Sequence, residues 1–168
     1  MKQFSMLSLS AILALGAASI SDGAFAQQRV TKDQLVGTWT LVSCTDANGG
    51  TPAPCVNAKG RTIFEANGQY MLSFAPVGRP KFDDQGGRAR RSADQWKAAA
   101  QDFYSNFGPW SFNDADQTIT QTNEVSIIPN REGREYKSKV SLTGDELRLT
   151  AIGAGGDAGR ATIWRRVR

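Results

Sequence analysis

Apolar and polar residues alternate in short runs along most of the chain, the period of half-buried strands rather than of helices. In Val36–Cys44, Trp39 and Leu41 fall on one face and Thr40 and Val42 on the other. Arg61–Glu65 and Gln69–Phe74 read as two more strands joined by Ala66-Asn67-Gly68, where Asn-Gly is a strong hairpin signal. Tyr70, Leu72 and Phe74 alternate with Met71 and Ser73, so this hairpin has an aromatic face. Further strands are expected at Trp110–Phe112, Thr118–Ser126, Glu135–Leu142, Glu146–Thr150 and Ala161–Val167. Thr143-Gly144-Asp145 and Pro129–Gly133 supply turns.

One segment switches period. Trp96, Ala99, Ala100 and Phe103 recur at helical spacing, with Lys97, Gln101 and Asp102 on the opposite face. Ser92 and Gln95 form a capping box before this stripe, and Asn106-Phe107-Gly108 ends it, which predicts a helix over Ser92–Phe107. Upstream, Thr31 can cap a short helical turn running through Asp33 and Leu35.

Short antiparallel strands at this spacing favour closure over an open sheet with exposed edges. The pattern therefore predicts an all-β fold, an antiparallel β-barrel of about eight strands with one amphipathic helix. Gly37-Thr38-Trp39 suits the closed end of such a barrel. Glycine lets the backbone pass close there, and the indole plugs the bottom. The helix would lay its stripe on the sheet or across the open end.

The first residues read as an address. Lys2 supplies a positive start, Met6–Ile20 is apolar but too short and interrupted for a span, and Ala24-Phe25-Ala26 is a small-x-small cleavage site. The expected organisation is a signal peptide at residues 1–26 and a single domain at 27–168. The product would be periplasmic in a bacterium, or secreted, with no stable membrane insertion after cleavage.

Charge changes the picture little. The net charge is +4 and the isoelectric point about 9.3, but the basic residues are scattered apart from Arg88, Arg90 and Arg91. No alternation of basic and aromatic residues marks a nucleic-acid groove, so no nucleic-acid partner is expected. Cys44 and Cys55 are the two cysteines. In an exported chain such a pair forms a disulfide, here closing a floppy Gly- and Pro-rich loop and worth roughly 2–3 kcal/mol. A redox-active pair is disfavoured because there is no Cys-x-x-Cys spacing.

Histidine is absent, which removes the usual triads, His-zinc sites and the default general base near neutral pH. Asp83-Asp84 and Asp114-Ala115-Asp116 lack the ligand count of a calcium loop and read as turns. Gly153–Gly159 lacks the following helix and Lys-Ser/Thr pair of a phosphate loop. No catalytic residue, metal ligand or cofactor is assigned.

Six stretches, taken together, carry a resemblance: GTWTLVSC at 37–44, GRTIFEANGQYMLSF at 60–74, KAAAQDFYSNFGPWSF at 97–112, TITQTNEVSIIP at 118–129, LTGDELRLT at 142–150 and IWRRV at 163–167. In order and spacing they resemble the bacterial lipocalin-like domain family, from Leu35 to about Val167. The resemblance implies a lipocalin-like barrel with a cavity, and Arg165 packed on Trp39 across the closed end. Two departures stand out. A His common in the family is replaced by Gln121, and an Arg common near Ser138 is missing, with Lys137 and Lys139 beside it.

In such a barrel the candidate ligand-binding residues are Trp39, Leu41, Tyr70, Leu72, Phe74, Trp96, Phe103, Trp110, Gln121 and Arg148, with Trp164, Ser43 and Thr120 as further wall positions. The function expected first is binding of a small hydrophobic or amphipathic molecule. A His-independent isomerase- or cyclase-type enzyme would need a carboxylate or phenol of shifted pKa in the cavity. A filled barrel acting as an interaction module would have no cavity and an exposed apolar patch.

Overall fold

A computed structural model describes residues 29–82, 91–153 and 158–168. The expected signal peptide, Asp83-Asp84, Arg88 and Arg90 of the basic run, and the middle of the Gly153–Gly159 loop lie outside these residues.

The alternating segments form β1 (Gly37–Thr45), β2 (Ala58–Phe64), β3 (Gln69–Pro76), β4 (Tyr104–Asn113), β5 (Thr118–Thr122), β6 (Val125–Ser126), β7 (Glu135–Thr143), β8 (Glu146–Ile152) and β9 (Ala161–Arg166). Eight of them close an antiparallel ring in the order β3-β2-β1-β9-β8-β7-β5-β4, with β4 returning to β3. The short β6 adds a further pairing on β4 through Asn106↔Ser126 and Phe107↔Val125. The expected barrel is present, and its closure leaves no free edge along the main ladders.

The Asn67-Gly68 hairpin forms as expected. Gly68 takes φ +87°, Glu65 N donates to Gln69 O at 2.8 Å, and the register Phe64↔Tyr70 follows.

The helix differs from its expected span. α2 covers Ala93–Ala100, with the Ser92/Gln95 capping box intact, and β4 begins at Tyr104. Residues expected to end a helix instead pair with β3, from Phe74↔Tyr104 to Gln69↔Pro109. The reason is tertiary. Without this ladder β3 would be an open edge, and Tyr104–Trp110 also alternates with period two, burying Asn106, Gly108 and Trp110 while exposing Phe107 and Pro109.

One end of the barrel is plugged. Trp39, Trp164, Phe64, Leu35, Ile119 and Leu147 are fully buried there. The short helix α1 (Lys32–Leu35) crosses this end, and Trp39 Nε1 donates to Leu35 O at 2.9 Å. Gln117 pairs with both backbone groups of Val30, tying the segment before α1 to the β4–β5 turn. The cation over Trp39 is Arg166, not the expected Arg165. Its guanidinium carbon lies 4.0 Å from the ring centroid, and its Nη1 donates to Val36 O at 3.1 Å. Parity decides this: Arg166 is opposite Trp39 in the β1–β9 ladder, and Arg165 is opposite Thr40 on the outer face.

Two irregularities aim side chains inward. A register shift between Leu41 and Ser43 turns Cys44 into the barrel in place of Ser43. Between β5 and β6 the chain bulges at Asn123, held by Asn123 N to Arg134 O at 3.0 Å and Gly133 N to Asn123 O at 2.7 Å. Gly108 passes so close to this bulge that a Cβ there would lie 2.1 Å from Thr122 O and 2.7 Å from Glu124 N.

Candidate functional site

Beyond the plug the barrel is hollow. A cavity of about 590 Å³ opens at the end opposite Trp39, where the β1–β2 connection meets the β7 and β8 strand ends. The inward parity of each strand sets its wall. Tyr70, Leu72 and Phe74 come from β3, Tyr104 and Asn106 from β4, Gln121 from β5, and Tyr136 and Ser138 from β7. Leu149, Trp164 and Thr62 complete the deeper part.

One wall is aromatic. Phe74 stacks on Tyr104 with centroids 5.0 Å apart and planes 23° from parallel. Gly60 makes this possible, since a Cβ on it would lie 2.3 Å from Phe74 Cβ.

The floor is polar and neutral. Tyr70 donates its hydroxyl proton to Asn123 Oδ1 at 2.6 Å. Burial pushes the Tyr70 phenol well above its ordinary range, with the nearby Tyr104 and Tyr136 phenols adding to the effect, so it is an uncharged donor near neutral pH. Thr62 Oγ1 donates to Met71 O at 3.1 Å.

The rim is charged. Arg131, Arg134, Lys137 and Arg160 line it, against Asp102 and Glu135. Arg131 Nη1 donates to the Tyr104 hydroxyl at 2.9 Å, and its guanidinium carbon sits 5.5 Å and 6.0 Å from the Tyr104 and Tyr136 rings. The Cys44–Cys55 disulfide, with Cα atoms 5.9 Å apart, also faces the opening, and Pro52 and Pro54 of its loop form part of the rim.

Of the residues singled out from sequence, the structure brings Tyr70, Leu72, Phe74, Phe103, Gln121 and Trp164 together around the cavity. Trp39, Leu41 and Trp110 are buried in the plugged half and do not line the cavity. Trp96 is 37% exposed on α2 and meets Phe82 with ring centroids 5.9 Å apart and planes tilted by 60°, away from the lining. Among the described residues 91–103, those that line the mouth are Gln101–Phe103, which follow α2, and no residue of α2 itself is in the lining. Arg148 is exposed on the outer face of β8, because Leu147 and Leu149 take the inward positions. Ser43 and Thr120 also lie outside the wall.

Asn106, Asn123, Thr62 and the tyrosines at 104 and 136 were not read from sequence. Asn106 was hidden by the overlong helix. Asn123 follows Gln121 at the strand period, which is the sequence signal that places both on one inward row.

Chemically the cavity offers apolar surface, aromatic faces and hydrogen bonds, with its cations at the rim. Among the described residues no group of three or more His, Cys, Asp or Glu side chains could hold a metal ion, and no helix is long and apolar enough to cross a membrane.

The sequence profile of the lipocalin-like domain matches residues 36–167. No curated protein matches the chain. Among solved structures, the chain is similar to the REP1-NXSQ fatty acid transporter, with 11% identity and a TM-score of 0.39, over 81% of this chain and 98% of that one. It is likewise similar to the wild-type fluorescent protein UnaG, with 12% identity and a TM-score of 0.40, over 82% of this chain and 100% of that one.

Proposed function

The chain belongs to the lipocalin-like domain family, and we propose that it is an exported protein that binds a small apolar or amphipathic molecule in its barrel. The observation that carries this reading is the cavity of about 590 Å³, walled by Tyr70, Leu72, Phe74 and Tyr104. Its size is within the usual range for small-molecule sites, roughly 300–1,000 Å³. Flat aromatic walls favour a ligand with rings or a planar conjugated system. The basic rim favours an acidic group left at the mouth, near Arg131 and Arg160.

The disulfide supports an oxidising destination. Residues 1–26 would direct that export and be cleaved in the course of it. The isomerase or cyclase reading needs a titratable group in the cavity tuned toward neutrality. Tyr70 is pushed the opposite way and holds its proton, which favours binding over turnover.

Native mass spectrometry of residues 27–168, purified oxidised from periplasm, tests the proposal. The expected result is a reproducible non-covalent adduct that disappears on denaturation and gives the ligand's mass. No adduct, and no thermal shift from a panel of fatty acids, sterols and aromatic acids, would overturn it.

A further inference from the structure

Two amides on the cavity floor have no partner for one of their polar atoms. Asn106, on β4, is 4% exposed, and Asn123, in the bulge after β5, is 1% exposed. Both line the cavity. The carbonyl oxygen Oδ1 of Asn106 and the amide nitrogen Nδ2 of Asn123 are buried without a hydrogen bond to any other group of the protein. Native proteins satisfy nearly all such atoms, because each one left unpaired weakens the fold. Two of them on one cavity floor leave hydrogen-bonding capacity there that the protein itself does not use.

The neighbouring groups define what that is. Tyr70 has spent its proton on Asn123 Oδ1, which leaves Nδ2 as the free donor of that amide. Thr62 has spent its proton on Met71 O. Among the fully buried side-chain atoms of the floor, the unused ones are one donor, Asn123 Nδ2, and one acceptor, Asn106 Oδ1. A carboxylate fits poorly. It could accept from Asn123 but would set a negative oxygen against Asn106 Oδ1, with every cation of the lining at the rim. A hydrocarbon end or an ester leaves the Asn106 oxygen unpaired.

We infer that the floor between Asn106 and Asn123 is a subsite for a neutral group that both donates and accepts hydrogen bonds, of the carboxamide kind. This rests on the reading of the barrel as a small-molecule binder and says which end of the ligand enters first. The neutral group goes to the floor, and any acidic group stays with the rim cations.

The test uses residues 27–168 with the disulfide formed and anilinonaphthalene sulfonate as the fluorescent occupant. Naphthaleneacetamide and the methyl ester of naphthaleneacetic acid are matched competitors. Both accept a hydrogen bond, and only the amide donates. The amide is expected to displace the fluorophore at roughly tenfold lower concentration than the ester. In Asn106→Leu the two competitors should become equal, while the melting temperature of the empty protein rises because an unpaired acceptor has gone. If fluorophore and ester bind but the amide has no advantage, the barrel is a binder and the subsite is overturned. If Asn106→Leu melts lower and keeps the preference for the amide, Asn106 is structural and the subsite is again overturned. If none of the three compounds binds, the binding reading falls and the subsite with it.

Discussion

Arg166 lies across Trp39 as a clamp, with its guanidinium carbon 4.0 Å from the ring centroid and Nη1 bonded to Val36 O. Its second nitrogen, Nη2, donates to Gln34 O. One side chain thus joins α1, the start of β1 and the end of β9 at the plugged end. The planar fork makes these contacts together, and a lysine cannot. Arg166→Lys is expected to cost about 1–2 kcal/mol and Arg166→Ala somewhat more. Arg165→Ala on the outer face should stay within about 0.5 kcal/mol. Urea unfolding followed by tryptophan fluorescence measures all three, and equal losses at the two arginines would contradict the assignment.

The hydroxyl of Tyr70 is the only group placed to satisfy Asn123 Oδ1 among the described hydrogen bonds. Tyr70→Phe leaves a buried acceptor unpaired and should cost about 1–3 kcal/mol. The ring keeps its place, so the cavity walls and the far-ultraviolet spectrum should be unchanged.

A pH dependence follows from the same phenol. Its folded-state pKa is raised by burial, so the folded protein holds this proton where the unfolded chain, titrating near 10, begins to lose it. The unfolded state then binds fewer protons, and stability falls as pH rises. The contribution is fully present below about pH 10 and is lost progressively above it. Unfolding midpoints at intervals between pH 8 and 11 should drop more steeply for the wild type than for Tyr70→Phe. Parallel curves would remove Tyr70 as the cause.

Reducing the Cys44–Cys55 bond frees a loop spanning 11 positions. Its loss, by reductant or as the Cys44→Ser/Cys55→Ser double variant, should cost roughly 2–3 kcal/mol. Because Pro52 and Pro54 of this loop form part of the rim, reduction should also weaken retention of anilinonaphthalene sulfonate. Unfolding and fluorescence titrations of the two redox forms provide the comparison.

Arg131 stands over Tyr104 and Tyr136 at the mouth. Arg131→Gln should weaken binding of the anionic fluorophore several-fold, about 1 kcal/mol, and flatten the salt dependence of binding. Titration at low and high ionic strength separates this from a loss of packing, which salt would not change.

Much of this was legible because short-range chemistry and long-range packing agreed. Asn67-Gly68 and the alternation of Tyr70, Leu72 and Phe74 each point one way at both scales. The errors came where they competed. The Trp96–Phe103 stripe carries the predicted helix on to Phe107, and closure of the ring against β3 takes Tyr104–Phe107 into β4 instead. Ser43 was aligned with Leu41 by a period that the register shift in β1 interrupts. Arg165 and Arg166 are adjacent, so only the ladder register says which one faces Trp39. The floor amides are the hardest to read, since Asn106 falls at the expected helix end, Asn123 sits in a bulge inside an expected strand, and only the closed barrel brings them to one cavity.

Gly108 contributes no side chain to the core, the cavity or the rim, yet its approach to Thr122 and Glu124 is backbone against backbone, with nothing flexible to give way. In a library carrying every substitution at every position, it should be among the most depleted sites, alongside Trp39. Positions that bear a functional group, such as Asn106, should tolerate replacement for folding and lose only ligand choice. Tolerance and function would then rank the residues of this barrel in different orders, and a screen for abundance alone would point to the seam between β4 and the Asn123 bulge while passing over the binding floor beside it.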